Sequence, residues 1–254
     1  MKFSKRPASS PLRGRALITG GTSGIGLAFA KALAARGCDL TIVARNRARL
    51  DDVSGALARV YGVDCDVLAA DLGTDGGVLA VCERLADRPV EVLVNNAGIT
   101  RDRMFMKMTR EEWDAVINTN LSGVFNVTKQ VVPDMVAKGW GRIIQISSVN
   151  GRKGQAGQTN YSAAKAGMHG FAMALAQELA GKGVTVNSVS PGYVGTDMVN
   201  AIRPDVLEKI VAAIPVKRLG TPHEIASIVG WLAGEDSGFT TGANFSCNGG
   251  LHME

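Results

Sequence analysis

Short apolar runs rich in β-branched residues alternate along the chain with longer stretches of helical periodicity. The pattern predicts strands at 15–19, 39–44, 64–70, 90–95, 142–147, 184–190 and 243–247. Between them it predicts helices at 25–36, 47–60, 74–87, about 110–138, 160–181 and 222–234. The strands are apolar almost throughout, as strands are when both faces of a sheet are covered. We therefore expect an α/β protein with a doubly wound parallel sheet and helices on both faces.

Two segments fall outside this alternation. Residues 195–220 form a long excursion before the last predicted helix, and we expect it to lie over the carboxyl ends of the strands, where ligands bind in such sheets. Residues 1–13 are basic and rich in serine and proline, and they are predicted to be a disordered arm. The remainder, 14–254, is predicted to be one domain, since no linker or repeat divides it.

The composition narrows the classes of function. The chain is 46% hydrophobic and 20% charged, which is typical of a globular protein with a sizeable core. Its formal net charge of +5 suits an anionic ligand, but the basic residues are not clustered, which disfavours nucleic acid. No apolar run has the length of a membrane span or follows the start as in a signal peptide. The 4 cysteines and 3 histidines lack ligand spacing, so we expect no metal, no disulfide and a cytoplasmic protein.

A glycine-rich sequence, TGGTSGIG at 19–26, joins the first strand to the first helix. Glycines in such a turn let the backbone approach a pyrophosphate, and the helix N-terminus offers free N–H groups and a positive dipole end. The spacing of Gly20, Gly24 and Gly26 differs from the commoner GxGxxG. The strand–turn–helix context favours a dinucleotide site over the alternative, a turn that binds nothing.

The end of the second predicted strand indicates which dinucleotide is bound. NAD sites usually have a carboxylate there, which binds a ribose 2′-hydroxyl. Here the strand ends at Ala44 and is followed by Arg45, Asn46 and Arg47, while Asp39 lies at its other end. A guanidinium suits the 2′-phosphate of NADPH, so we predict that Arg45 selects NADP(H). The alternative is that both arginines are only solvated residues at a helix start.

A tyrosine and a lysine are placed to share one face of a helix. Tyr161 and Lys165 are four residues apart, and Ser148 lies upstream after the fifth strand. A nearby ammonium is expected to lower the pKa of the phenol, which could then protonate a carbonyl oxygen and contribute roughly 10²–10⁴ in rate. Ser148 would donate a hydrogen bond to the same oxygen. The alternative is an exposed tyrosine beside a surface lysine.

Six motifs now stand in one order: TGGTSGIG (19–26), NNAG (95–98), Asn120, Ser148, YSAAK (161–165) and SPG (190–192). In this order they resemble the short-chain dehydrogenases/reductases, from about residue 14 to the end. The resemblance implies a single Rossmann domain with seven parallel strands and a catalytic tetrad of Asn120, Ser148, Tyr161 and Lys165. Lys165 would also bind the ribose hydroxyls beside the nicotinamide, and Asn120 would help to hold a water in a proton relay.

The resemblance also implies the residues around NADPH. Asp71 and Leu72 would border the adenine, and Val194 and Thr196 would meet the carboxamide. The full expected set is Gly20, Thr22, Ser23, Gly24, Ile25, Arg45, Asp71, Leu72, Asn96, Ala97, Gly98, Pro191, Gly192, Val194 and Thr196.

Within the family, the segments 95–102, 108–131, 139–171 and 248–252 resemble the acetoacetyl-CoA reductases of polyhydroxyalkanoate synthesis. Those enzymes reduce a 3-oxoacyl-CoA to the (R)-3-hydroxyacyl-CoA with NADPH. The resemblance implies that Gln155, Gln158, Tyr193 and Asp102 face the substrate. It is weaker before residue 90, and Ala156 is small where related enzymes can carry an aromatic residue, so the acyl length stays open.

Two other functions remain open at this point. A 3-oxoacyl-acyl-carrier-protein reductase would share the tetrad and the cofactor site, and its substrate carries the same phosphopantetheine. The segments GQTNYS (157–162) and GLH (250–252) favour the CoA ester. A regulator that binds NADP without turnover is disfavoured by the complete tetrad. The family resemblance further implies a homotetramer, in which the two long helices and the last strand make the contacts.

Overall fold

The computed structural model of the chain describes Leu12 and residues 14–253 and contains a sheet of seven parallel strands. The strands are β1 (Arg15–Thr19), β2 (Asp39–Ala44), β3 (Cys65–Ala69), β4 (Val92–Asn95), β5 (Gly141–Ile146), β6 (Val184–Pro191) and β7 (Asn244–Cys247). Their order is β3-β2-β1-β4-β5-β6-β7, and each neighbouring pair is parallel. The order reverses between β1 and β4, which confirms the predicted doubly wound α/β fold.

Helices cover both faces of the sheet. They are α1 (Gly24–Ala34), α2 (Arg47–Tyr61), α3 (Asp75–Asp87), α4 (Arg110–Ile117), α5 (Gly123–Lys138), α6 (Asn150–Lys153), α7 (Thr159–Leu179), α8 (Asp197–Asn200), α9 (Pro204–Ala213) and α10 (Pro222–Leu232). Successive residues of β1 face opposite sides. Ala16 and Ile18 pack with buried residues of α1, α2 and α10, whereas Leu17 packs with Val127 of α5 and Ala172 of α7.

The helix predicted at about 110–138 is continuous in the structure, but it is not α-helical throughout. A capping box of Thr109 and Glu112 starts α4, and a π-helical turn at Asn118–Ser122 separates α4 from α5. At the first residue of α5, a Cβ on Gly123 would lie 3.1 Å from the carbonyl oxygen of Leu72. The π turn directs Asn120 into the interior, where it is fully buried.

The excursion predicted at 195–220 contains α8 and α9. An isolated bridge between Val194 and Gly220 joins its two ends just beyond the carboxyl end of β6. At the other end of the chain, Leu12 is buried and its N–H donates to the carbonyl oxygen of Arg36 at 3.0 Å. The rest of the predicted arm lies outside the described residues, so the domain boundary at residue 14 stays a prediction.

Candidate active site

A cavity of about 130 Å³ opens beyond the carboxyl ends of β5 and β6. Ser148 follows β5, and Tyr161 lies in the first turn of α7. The structure therefore brings together at one wall the hydroxyl and the phenol that the sequence singled out. The lining residues are Thr100, Ser148, Val149, Asn150, Gln158, Tyr161, Gly192 and Tyr193.

Burial is the largest influence on the pKa of the Tyr161 phenol. Burial raises the pKa of Tyr161, a hydrogen bond with Ser148 lowers it in part, and the carboxylate of Asp102 raises it. The prediction that the lysine ammonium lowers the pKa of Tyr161 was therefore wrong. Lys165 Nζ lies 5.7 Å from the centre of the tyrosine ring and donates a hydrogen bond to the carbonyl oxygen of Ile146. With its pKa above the usual value, Tyr161 is protonated at neutral pH, which is the form a general acid needs.

Lys165 lies inside the protein beside the site. Its side chain is 3% exposed, and Nζ donates to the carbonyl oxygen of Ile146, at the end of β5, at 2.7 Å. Burial lowers the pKa of Lys165 to about 8, because an ammonium away from water is disfavoured. A Cβ on Gly98 would lie 3.6 Å from Nζ, so the glycine of the NNAG motif leaves room in front of the lysine.

Ser148 is oriented to donate a hydrogen bond. Its Oγ accepts from the backbone N–H of Asn150 at 3.1 Å. Since the oxygen already accepts, the hydroxyl proton remains available for Tyr161 or for a carbonyl oxygen in the cavity.

The side chain of Asn120 forms two hydrogen bonds with the backbone of Ile99. Its Oδ1 accepts from Ile99 N at 2.8 Å, and its Nδ2 donates to Ile99 O at 2.9 Å. Asn120 thereby fixes the loop after β4, and a Cβ on Gly98 would lie 3.4 Å from its Oδ1 and 3.6 Å from Lys165 Nζ. The structure thus brings Asn120 next to Lys165, and the water relay stays a prediction.

The glycine turn after β1 is closely packed. Gly20 has a φ of +70°, and a Cβ on Gly26 would lie 2.2 Å from the carbonyl oxygen of Gly20. Ser23 precedes α1 as its N-cap residue, but its side chain makes no capping hydrogen bond. The N–H groups of the first turn are therefore left without a side-chain partner, as an anion site at a helix N-terminus requires. Thr22 and Ile25 flank these positions and are partly buried.

The NNAG motif braces this turn. Asn96 Nδ2 donates to the carbonyl oxygens of Thr19 and Gly20 at 2.9 and 3.1 Å. Thr19 Oγ1 in return accepts from the backbone N–H groups of Asn96 and Ala97, both at 2.9 Å. The amide donors of Asn96 hold the two strand ends together, and its place in the lining of the cofactor cleft stays a prediction. Thr19, which sequence reasoning did not single out, is the partner of both motifs.

The loop after β6 approaches the glycine turn from the other side. A Cβ on Gly24 would lie 3.4 Å from Cγ2 of Thr196. Val194 is buried, and the carbonyl oxygen of Pro191 accepts from Val149 N at 2.9 Å, which holds the middle of the SPG motif against the segment that follows β5. Thr196 therefore lies directly beside Gly24 of the glycine turn.

The adenine end of the predicted cofactor site lies beside β2 and β3. Arg45 is exposed directly after β2, and no described carboxylate is within salt-bridge distance of it, whereas Arg47 pairs with Asp51 at 3.0 Å. Asp71 Oδ1 accepts from Gly73 N at 2.9 Å, and Leu72 is buried. The guanidinium of Arg45 is thus available for an anionic group.

The residues expected to bind substrate separate into two groups. Gln158 lines the cavity, accepts from Asn150 Nδ2 at 2.9 Å and donates to Asp102 Oδ2 at 2.8 Å. Tyr193 also lines the cavity, but Gln155 is exposed, accepts from Lys153 Nζ at 3.0 Å and is not among the lining residues. Asn150 and Thr100 line the cavity although the sequence did not point to them, since neither belongs to a recognisable motif.

These observations fit a dinucleotide with a 2′-phosphate. The Gly26 contact leaves no room for a side chain, the α1 N-terminus has no side-chain cap, and Arg45 has no ion-pair partner in the described part of the chain. Among residues 14–253, no group of three or more histidines, cysteines and acids could hold a metal ion. Nor does the described structure contain a helix that is both long and apolar enough to cross a membrane.

Comparison with known proteins gives the family. Residues 15–207 match the short chain dehydrogenase family. The chain belongs to this family. This short chain dehydrogenase is therefore an oxidoreductase that uses a nicotinamide cofactor, which agrees with the dinucleotide site that the glycine turn predicted.

Three curated relatives bear different names. The acetoacetyl-CoA reductase of Cupriavidus necator is 56% identical over 240 residues, which cover 94% of this dehydrogenase and 98% of the relative. Nodulation protein G of Azospirillum brasilense is 53% identical, with 94% and 98% covered. The 3-oxoacyl-[acyl-carrier-protein] reductase of Escherichia coli is 43% identical, with 94% and 97% covered. The predicted resemblance to acetoacetyl-CoA reductases is confirmed.

Proposed function

We propose that the protein reduces acetoacetyl-CoA to (R)-3-hydroxybutyryl-CoA with NADPH. The observation that supports it most directly is the pairing of Ser148 with a protonated Tyr161 at the wall of one cavity in a dehydrogenase fold. The likeness to acetoacetyl-CoA reductases over nearly the whole chain supports the choice of substrate.

The proposed reaction assigns one task to each side chain. NADPH, when bound, supplies the hydride that the carbonyl carbon accepts. Ser148 donates a hydrogen bond to the carbonyl oxygen, and Tyr161 donates its phenolic proton to that oxygen as negative charge develops. Lys165 presents Nζ beside Gly98, where it would bind the ribose hydroxyls. Tyr161 then regains a proton from solvent, and the product is a secondary alcohol.

The polar wall of the cavity is suited to the thioester side of the substrate. Gln158 and Asn150 are joined by a hydrogen bond and both line the cavity, and amide groups of this kind can pair with the amides of pantetheine. Gln158 is further held by Asp102. In this proposal Gln158, Asn150 and Tyr193 contact the substrate, Asp102 orients Gln158, and Gln155 lies at the rim.

The decisive experiment compares two carriers of one acyl group. NADPH oxidation is followed at 340 nm with acetoacetyl-CoA and with acetoacetyl-acyl carrier protein at matched concentrations. We expect a kcat/KM at least tenfold higher for the CoA ester. A higher value for the carrier-protein ester would make the protein a 3-oxoacyl-acyl-carrier-protein reductase, and activity on neither would refute both substrates.

Reduction of a 3-oxoacyl-acyl-carrier-protein is the second candidate function, because exposed basic residues lie near the site. Arg101, Lys107, Arg152 and Lys153 are exposed on the segments that precede α4 and that contain α6. An acidic carrier protein would require several of them, whereas the phosphates of CoA need one or two. If Arg152→Ala and Lys153→Ala each lower kcat/KM for the carrier-protein ester only, this candidate is preferred.

The preference for NADPH is proposed from Arg45. We expect wild-type kcat/KM to be higher for NADPH than for NADH, and Arg45→Asp to reverse the ratio, because a carboxylate repels the 2′-phosphate and accepts from a 2′-hydroxyl. Arg49→Asp, the same change at an exposed residue of α2, is the matched control and should leave the ratio unchanged. An unchanged ratio in Arg45→Asp contradicts the assignment.

The variant Tyr161→Phe distinguishes an enzyme from a regulator that binds NADPH without turnover. The variant lacks the acid but keeps the ring, so reduction should fall by at least 10²-fold while NADPH fluorescence titration gives the same affinity. Retained reduction would remove Tyr161 from the chemistry.

We further propose a homotetramer in the cytoplasm. Exposed Phe125 of α5 and Met173 of α7 would form one contact between subunits, and exposed Trp231 and Phe239 beside β7 would form another. All four cysteines are free, which suits a reducing compartment. Size-exclusion chromatography with light scattering tests the assembly, and a monomer would refute it.

A further inference from the structure

Three hydrogen-bonding contacts join the end of β5 to the middle of α7. Lys165 Nζ donates to Ile146 O at 2.7 Å, and Ser147 Oγ donates to Lys165 O at 2.8 Å. Ser147 Oγ also lies 3.0 Å from His169 Nε2. The side chains of Ser147, Lys165 and His169 are 4%, 3% and 6% exposed. We call this set of contacts the β5–α7 clamp.

The chemistry of the groups sets the direction of the bond to His169. A serine hydroxyl has one proton, and a backbone carbonyl oxygen can only accept, so the Ser147 proton is directed to Lys165 O. In its contact with His169, Ser147 Oγ is therefore the acceptor. It follows that His169 carries a proton on Nε2, and that this N–H keeps Ser147 in the rotamer that reaches α7.

The clamp lies directly behind the proposed catalytic pair. Ser147 is covalently joined to Ser148, and Lys165 is one helical turn after Tyr161. The backbone of Ser147 is held on its other side by β6, since its N–H donates to Val189 O at 2.8 Å. The clamp therefore joins the backbone segment that carries Ser148 to the helix that carries Tyr161.

We propose that His169 is a positioning residue, which acts through Ser147 to hold Ser148 at the distance from Tyr161 that carbonyl reduction requires. The proposal rests on the proposed roles of Ser148 and Tyr161. Two hydrogen-bond donors must converge on one carbonyl oxygen as charge develops, and a displacement of about 1 Å can lower the rate by about 10²-fold. His169 touches neither substrate nor cofactor in this scheme.

If His169 served only for packing, the variants that keep activity would differ from those expected for a hydrogen-bond donor. If His169 only filled space, His169→Leu would work as well as any change, because leucine fits an apolar interior. If His169 acts as a donor, His169→Gln should be tolerated instead, since the glutamine amide can place an N–H near Nε2. The comparison of Gln with Leu therefore separates hydrogen bonding from volume.

The experiment measures kcat, KM and NADPH affinity of the full-length protein with acetoacetyl-CoA. We expect His169→Leu and Ser147→Ala each to lower kcat by 10- to 100-fold with KM and NADPH affinity within about twofold of wild type. His169→Gln should keep at least a third of kcat. Because both residues act through one hydrogen bond, the double variant Ser147→Ala/His169→Leu should be no slower than Ser147→Ala alone. His223→Leu, at an exposed histidine of α10, is the matched control.

The proposal is overturned if His169→Leu matches wild type, if His169→Gln is as slow as His169→Leu, or if the two single losses multiply. Ser147→Ala keeps the test valid if His169→Leu does not fold. A second readout needs no turnover: ¹⁵N NMR of histidine-labelled protein should show His169 protonated on Nε2, and a proton on Nδ1 alone would refute the clamp. Wild-type inactivity on 3-oxoacyl esters would instead refute the proposed function.

Discussion

Replacing Lys165 by methionine should change how the stability of the protein depends on pH. In the folded protein the pKa of Lys165 falls from 10.5 to about 8, and its side chain is removed from water. Methionine has a similar length and no charge to bury. The variant should also lose reduction, but the stability measurement tests the electrostatics of the site independently of the chemistry.

The magnitude follows from the difference in pKa between the folded and the unfolded chain. Between pH 8 and 10.5 the unfolded chain binds the Lys165 proton while the folded protein has released it, so wild-type stability rises with pH. At 1.36 kcal/mol per pKa unit, the full rise is about 3 kcal/mol, and about 2 kcal/mol of it falls between pH 7 and 9.5. Lys165→Met lacks this contribution. The lost hydrogen bond to Ile146 costs about 1–3 kcal/mol at every pH and shifts the whole curve.

The assay is equilibrium unfolding in urea at a fixed protein concentration, at several values between pH 7 and 9.5. The quantity of interest is the free energy of unfolding of wild type minus that of Lys165→Met, because other titrating groups cancel in the difference. Lys182→Met, at an exposed lysine after α7, serves as the control. A difference that stays constant across this range would show that Lys165 keeps an ordinary pKa, and the electrostatic reasoning would be refuted.

Three further changes have defined outcomes. Gly26→Ala places a methyl group against Gly20 O, 2.2 Å away, so NADPH should bind at least tenfold more weakly in fluorescence titration, whereas Gly55→Ala, with open space around it, should bind normally. Asn120→Ala leaves the backbone groups of Ile99 unpaired and should lower the free energy of unfolding by about 2 kcal/mol in urea; an unchanged midpoint would contradict this. The cavity of about 130 Å³ should favour short acyl groups, so kcat/KM should fall at least tenfold from acetoacetyl-CoA to 3-oxooctanoyl-CoA, and a flat profile would show that the chain leaves the cavity.

Patterns of residues that are close together in the sequence were sufficient to predict the strands, the turn and the helix that carry the site. The strands could be predicted because doubly buried strands are continuous apolar runs, and the glycine turn because close backbone packing excludes side chains at Gly20 and Gly26. The spacing of Tyr161 and Lys165 placed both on one helix face, as the structure confirms. Each of these features depends on residues that are close together in the sequence.

Features that depend on distant contacts could not be predicted in the same way. The π turn at Asn120 forms where the side chain meets the backbone of Ile99, 21 residues away. The raised pKa of Tyr161 depends on how deeply the folded chain buries the phenol, which the spacing to Lys165 does not reveal. Ser147 and His169 are an ordinary serine and histidine until β5 and α7 meet, 22 residues apart along the chain.

The strand order has a consequence for how the protein is made. The first strand, β1, lies between β2 and β4, and the register pairs Ala16 with Val92. Its second neighbour, β4, is therefore synthesised well after β1 and β2. A growing chain can thus form the β1-β2-β3 half, with the glycine turn, before Tyr161 and Lys165 leave the ribosome. In that half the inner edge of β1 has no partner, and such an edge can pair with another chain. We therefore expect truncated or slowly translated chains to aggregate through β1, and rapid synthesis of β4 to protect them.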